Sequence, residues 1–274
     1  MESPARNAAL QISTNFVRKL LLQRNLIWNF VIRDLKIRYV GSFMGFFWSI
    51  IHPLILLISY TFVFSIVFDI RPQSTATDNF AVFLFCGILP WLYFQDTVLR
   101  SCTAVIDNAN LIRKTVFPSE ILPVSITLSN LVFHLIGVMV LAVVLIVMGV
   151  LPWTVVLLPL YLLPLMVLGL GLGWLLASLQ VFLRDTSQIL TVVLVFWFWF
   201  TPIFYSVDRV PQGLRPLMSL NPLSFVVQGY RDCLLEGILP SAATVGGLWL
   251  MAAACFVVGG LVFRNTKREF VDVL

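Results

Sequence analysis

The chain has 274 residues, of which 59% are hydrophobic and 11% charged, and its mean hydropathy is +0.96. That composition excludes a soluble domain with a single water-excluding core and places lipid against much of the molecule. A net charge of +5 and a pI near 9.2 suit a nucleic-acid partner in principle, but the basic residues stand in short segments beside apolar runs, where they orient a membrane protein, so no nucleic acid is expected.

The N-terminus is polar and carries no cleavable signal pattern; the first long apolar run begins near Phe46. Before that run, Phe16, Val17, Leu20, Leu21, Trp28, Val31 and Leu35 share one helical face, opposite Arg18, Gln23, Arg24, Asn25, Asn29, Arg33 and Lys36. This predicts an amphipathic helix lying in the membrane interface, with a solvated basic tail as the alternative.

A bilayer core takes about 20 helical residues, and apolar runs of that length lie near 46–68, 80–101, 121–149, 155–181, 187–205 and 242–263. Six spans place both termini on one side. That side collects 14 of the 18 Lys and Arg residues, leaving Arg71, Arg209, Arg215 and Arg231 on the other, so both termini are expected in the cytoplasm.

Polar residues inside the runs are few. Asp96 stands four residues before Arg100, which predicts an ion pair along one helix rather than a proton site. His134 is expected to hydrogen-bond a neighbouring helix rather than titrate. Gly169, Gly171 and Gly173 predict close helix contacts in the fourth span, and Gly41 with Gly45 repeats that spacing near the first; dimer seam and packing within one chain remain equal readings.

The loop after the second run reads Asn108, Ala109, Asn110, Leu111, Ile112, Arg113, Lys114, Thr115, Val116, Phe117, Pro118, Ser119, Glu120. Leu111, Ile112, Val116 and Phe117 make a small apolar face on a water-facing loop, which invites a partner's groove; a turn dipping into the membrane is the alternative. Pro118 suits a helix start, and Glu120 then falls in the first turn, where the helix dipole favours an anion.

The fifth run carries Phe196, Trp197, Phe198, Trp199 and Phe200, followed by Phe204 and Tyr205. An interfacial aromatic belt explains them; so does a passage lined by Tyr60, Trp197, Phe200 and Tyr205, because sugar C–H faces stack on rings. The segment 206–240 is long for a connection. In it Asn221 as cap, Pro222 in the first turn and Gly237 as stop outline a helix over 222–236, too short to cross a bilayer, which predicts a re-entrant element at the outer rim.

Catalytic and nucleotide motifs are missing. No lysine follows a glycine, so there is no phosphate-binding loop, and neither a zinc-protease motif nor a nucleophile elbow occurs. The four cysteines, Cys86, Cys102, Cys233 and Cys255, have no metal or disulfide spacing and read as packing residues. The reading is of an all-α membrane protein with six transmembrane helices, an N-terminal amphipathic interfacial helix and a re-entrant outer segment between spans five and six. Its parts are an N-terminal region (1–45), a six-span domain (46–264) and a cytoplasmic tail (265–274).

Several ordered segments carry a resemblance. Arg33-Asp34-Leu35-Lys36, Arg38-Tyr39, Ser42, Gly45, Trp48 and Pro53, then Asn110-Leu111-Ile112-Arg113-Lys114, Phe117-Pro118 and Glu120-Ile121-Leu122-Pro123, are similar to permease subunits of ABC exporters for bacterial polysaccharides. Arg184-Asp185, Thr201-Pro202-Ile203 with Tyr205, Asn221-Pro222-Leu223 and Tyr230-Arg231 extend it over residues 16–264, with a departure at Met44, where Leu is expected. The resemblance implies a homodimer in the bacterial inner membrane that exports lipid-linked O-antigen, capsule or teichoic-acid polymer, driven by two copies of a separate ATPase subunit. ATP and Mg would be bound by that partner, with no cofactor in this chain. It further implies that Asn110, Leu111, Ile112, Arg113, Lys114, Phe117 and Pro118 dock the ATPase. Arg33, Asp34, Lys36, Arg38 and Tyr39 would form the gate helix and entrance, and Tyr60, Trp197, Phe200 and Tyr205 would flank the sugar path. A drug or small-lipid exporter and a membrane enzyme of undecaprenyl-linked glycans are the other readings weighed.

Overall fold

The computed structural model describes residues 22–38, 44–68, 79–114, 117–205, 207 and 210–274. Among these, every regular element is helical and no strand occurs. Helix α1 covers Arg24–Ile37, and α2, Trp48–Tyr60, continues as a π-helical stretch over Thr61–Val67. Helix α3 is Phe80–Asp107, the short α4 is Ala109–Lys114, α5 is Ile121–Val147, and α6 is Pro159–Phe182. Then follow α7 (Thr186–Phe200), α8 (Arg215–Ser219), α9 (Pro222–Arg231, extended by a π-turn over Asp232–Glu236), α10 (Ala242–Thr266) and α11 (Phe270–Val273).

Among the described residues, five helical segments are long and apolar enough to cross a membrane: Trp48–Val67, Phe80–Asp107, Ile121–Val147, Trp153–Phe182 and Ala242–Thr266. The predicted fifth span is shorter than its apolar run. Helix α7 has 15 residues, a length of roughly 22 Å at 1.5 Å per residue. Its end has a local cause. Thr201 precedes Pro202, whose ring disfavours the helical conformation in the residue before it, and Thr201 accordingly has φ −90° and ψ 132°.

Helix α3 is the hub: most of its residues are buried, whereas the first span is largely exposed, so the bundle is organised around the second span. It packs on α5, α6 and α9, while α10 packs on α6. Lipid is as apolar as leucine, so such contacts rest on close packing rather than on water exclusion. At the α6–α10 crossing a Cβ on Gly171 would strike the backbone of Cys255 and Phe256, and one on Gly259 would strike the backbone of Gly171. Gly169 and Gly173 instead face Thr97 and Ser101 of α3. The fourth-span glycines therefore serve packing within the chain. Gly41 lies outside the described residues.

The cap signals around 222–236 operate as read. Asn221 Oδ1 accepts from Leu223 N at 3.1 Å, Pro222 occupies the first turn, and Gly237 closes the element with φ +67°. Of the interfacial helix, residues 16–21 lie outside the described residues. In α1 the buried residues are Ile27 and Val31, whereas Trp28, placed with the apolar face by periodicity, is 59% exposed. The face that packs is rotated toward Ile27 because Ile27 and Val31 both meet Ile121 at the start of α5.

Candidate functional site

The basic end of the bundle carries a charged latch. Asp34 of α1 and Arg38, the residue just past its end, lie one turn apart and point at α3 and α5, the Arg38 Nε standing 3.5 Å from the Asp34 carboxylate. Arg38 donates to Asp96 Oδ2 at 3.1 Å and also to Asn130 Oδ1, and its guanidinium lies 4.4 Å from the Phe133 ring centre. Arg100 donates through both terminal nitrogens to the two oxygens of Asp34 and reaches Asn130 Oδ1 at 3.1 Å. Ser129 donates to Asp34, and the Asn130 amide donates to Thr97 Oγ1 at 3.1 Å. Asp96 and Arg100 thus find their ionic partners across the helix interface on α1, not along α3 as their spacing predicts. Two opposite charges reaching α1 offer a pairing that tilts each side chain away from its own helix neighbour.

The other residues expected at an entrance stand differently. Arg33 is exposed, bonds Asn108 Oδ1 at 3.1 Å and lies 4.1 Å from the Phe30 ring centre, joining α1 to the start of α4. Lys36 is exposed, and Tyr39 lies outside the described residues. Between α2, α3 and α5 a cavity of about 500 Å³ opens, with Arg38, Asp96 and Asn130 on its wall beside Trp48, His52 and His134. His134 Nε2 is 2.8 Å from the Tyr230 hydroxyl of α9, the interhelical bond expected of it.

The loop expected to couple to an ATPase does not form one exposed apolar face. Asn110, Arg113 and Lys114 are exposed and Leu111 is half-buried, but Ile112 is 6% exposed, inside a cluster with Val105, Leu122, Trp174 and Phe270. Phe117 packs on Phe30 of α1, ring centres 5.3 Å apart, and Pro118 is half-buried; Thr115 and Val116 lie outside the described residues. A helix of one and a half turns tethered at both ends turns its residues in several directions, so Ile112 anchors while its neighbours face out. Pro118 leads a turn rather than the helix itself, its carbonyl accepting from Ile121 N at 3.1 Å.

At the opposite end, three motif segments converge. Asn221 Nδ2 donates to Thr201 Oγ1 at 3.1 Å, and Trp197 Nε1 donates to Asn221 Oδ1 at 2.9 Å. Arg231, 2% exposed, donates to the carbonyls of Pro202 at 2.8 Å and Ile203 at 2.6 Å, with its guanidinium 3.7 Å from the Phe83 ring centre. Irregular backbone after α7 frees carbonyls, and this buried fork satisfies them. Asp232, the neighbour of Arg231, accepts from the Gln228 amide at 2.8 Å.

Of the predicted path residues, Trp197 and Phe200 wall one pocket of about 430 Å³ with Met218 and Pro222. Tyr60 and Tyr205 do not line it. Tyr60 begins a chain of rings, through Phe64, Phe204, Phe198, Trp91 and Phe94 to Trp197, with centroids 5.2–6.2 Å apart. Such spacing is ordinary aromatic packing. The Tyr205 hydroxyl donates to the Trp199 carbonyl at 3.0 Å. Among the described residues no group of three or more His, Cys, Asp or Glu side chains is disposed to hold a metal ion.

Residues 25–235, from α1 through the end of α9, match the ABC-2 type transporter family. The chain belongs to that family. Its span covers both the latch and the Arg231 anchor. The ABC-2 chain is 31% identical over 259 residues to the O-antigen export system permease protein RfbA of Myxococcus xanthus, covering 93% of this chain and 98% of that protein. It is 30% identical over 244 residues to the protein of the same name from Klebsiella pneumoniae, covering 88% and 92%. The polysialic acid transport protein KpsM of Escherichia coli is 20% identical over 242 residues, covering 88% and 93%.

Proposed function

We propose that this ABC-2 chain is the permease of an exporter that carries a lipid-linked polysaccharide, O-antigen in the first place, across the bacterial cytoplasmic membrane. A separate ATPase subunit supplies the work, and ATP and Mg bind there. The observation that carries the substrate is the 31% identity to an O-antigen export permease over nearly the whole of both chains. Weaker similarity to the KpsM polysialic acid transport protein keeps another polysaccharide of that kind as the second reading.

In this reading α7 and the Arg231-satisfied stretch after it together make the fifth of six spans, because irregular backbone is tolerated at membrane depth where protein covers it. Helix α9 is the re-entrant outer element, and the basic end is cytoplasmic. Two copies form the exporter with two ATPase subunits. Helix α1 is the gate, and the Asp34–Arg38–Asp96–Arg100 latch is what holds it to α3 and α5. Trp197 and Phe200 flank the sugar path; Tyr60 and Tyr205 support the rings beside it. The ATPase grips Asn110, Leu111, Arg113 and Lys114, while Ile112, Phe117 and Pro118 transmit the load inward.

Leu111→Asp tests this reading more cleanly than Phe117→Asp, because Phe117 also holds α1 through Phe30. In cells lacking the chromosomal gene, the native chain restores surface polymer. Leu111→Asp is expected to insert normally and to lower export at least about tenfold, the size of a lost buried apolar contact. Surface polymer at the native level with this variant, or in the deletion strain itself, contradicts the assignment.

A further inference from the structure

The C-terminal tail returns to the point where the coupling segment joins the third span. Glu120, the residue before α5, is 1% exposed, and its Oε1 lies 3.0 Å from Lys267 Nζ, just past the end of α10. Trp174 of α6 donates its indole N–H to the Glu120 carbonyl at 3.0 Å. Phe270 is fully buried, edge-on to Phe263 at 5.4 Å, in the cluster that holds Ile112 of α4. One residue of the segment leading into α5 is therefore gripped by side chains from the fourth span and from the tail of the sixth.

The ion pair is not what covers this end of the bundle, since the Phe263, Phe270 and Trp174 cluster already does. A buried pair is weak support for stability but defines one geometry firmly. The α6 and α10 backbones touch at Gly171 and Gly259 with no room for a Cβ, which leaves the two helices little freedom to shift against each other. Lys267 also stands at the negative end of the α10 dipole, which favours a cation there.

We propose that Glu120 and Lys267 form a strut that passes displacement of the coupling segment to the α6–α10 pair. Both are positioning residues, and the proposal rests on the coupling reading above. Without the strut, only the Trp174 bond to the Glu120 carbonyl and the apolar cluster connect motion of α4 and the Pro118–Glu120 turn to those spans. With it, the fourth and sixth spans follow.

The test uses the full permease–ATPase complex in vesicles, comparing Glu120→Gln/Lys267→Met, which removes both charges and leaves neither unpaired, with Lys267→Arg, which keeps the link. The double variant is expected to retain assembly, thermal midpoint and ATPase rate while polymer exported per ATP falls about five- to tenfold, in the range for mutations along a coupling network. Lys267→Arg should keep the native ratio. A native ratio in the double variant overturns the strut, as does a loss of export matched by an equal loss of ATPase or of folded complex, which is the mark of a merely structural pair. Leu111→Asp run alongside separates the two claims: if it exports normally the coupling reading fails, and if it is inactive while the double variant is native, the strut alone fails.

Discussion

Replacing Arg231 by leucine is expected to cost about 3 kcal/mol of stability or more. The side chain is buried, carries two short hydrogen bonds to the Pro202 and Ile203 carbonyls, and covers the Phe83 ring. A hydrogen bond from a charged donor contributes about 1.5–3 kcal/mol, and each carbonyl left buried without a partner costs a comparable amount, so two losses at one position set the scale. Gly87 leaves the room for the guanidinium, a Cβ there meeting Arg231 Nη2 at 3.1 Å, so leucine also leaves space unfilled. Thermal unfolding of the purified protein should show a midpoint lower by roughly 10 °C. Arg231→Lys keeps the charge but cannot fork across two carbonyls, and its midpoint should fall between. An unchanged midpoint for the leucine variant is incompatible with Arg231 as the anchor of the chain after α7.

Removing the Asp34 carboxylate should free α1. Asp34 receives Arg100 through both oxygens, Ser129, and Arg38. Asp34→Ala leaves two guanidinium groups facing one remaining carboxylate, Asp96. The side chains of Asp34, Arg38 and Arg100 are 20–30% exposed, so solvent screens part of the effect, and about 2 kcal/mol is a reasonable scale, below a fully buried pair and above a surface one. That corresponds to roughly a thirtyfold rise in the detached population of α1. Hydrogen exchange of the α1 amides should quicken by that factor and export should fall, while Lys36→Ala, on the exposed side, should leave both near native. Exchange unchanged in Asp34→Ala removes the latch from the account.

Much of this architecture is legible in the sequence because its determinants are local. Apolar length places five spans, and Asn221, Pro222 and Gly237 bound α9 because cap chemistry acts within a few residues. The end of α7 was also written locally, in Thr201-Pro202, although the apolar run continues past it. What periodicity cannot carry is the choice among distant partners. Asp96 has Arg100 one turn away and Arg38 on another helix, and only the packing of α1 decides for Arg38. Nothing within a few residues of Arg231 announces that the carbonyls freed after α7 take its hydrogen bonds. Ile112 sits in a loop of docking-like composition, yet the C-terminal Phe270, more than 150 residues later, helps to bury it. Which rings of the run Phe196–Phe200 turn inward is likewise a matter of neighbours: Trp197 is held by Phe94 and Asn221, while Phe196, Trp199 and Phe200 stay exposed.

The most direct measurement reconstitutes the purified chain in inverted vesicles with labelled lipid-linked polymer outside, with and without the cognate ATPase. Polymer should enter the lumen only when ATPase and ATP are both present. Net uphill entry into vesicles holding the permease alone would contradict an exporter driven from its coupling segment.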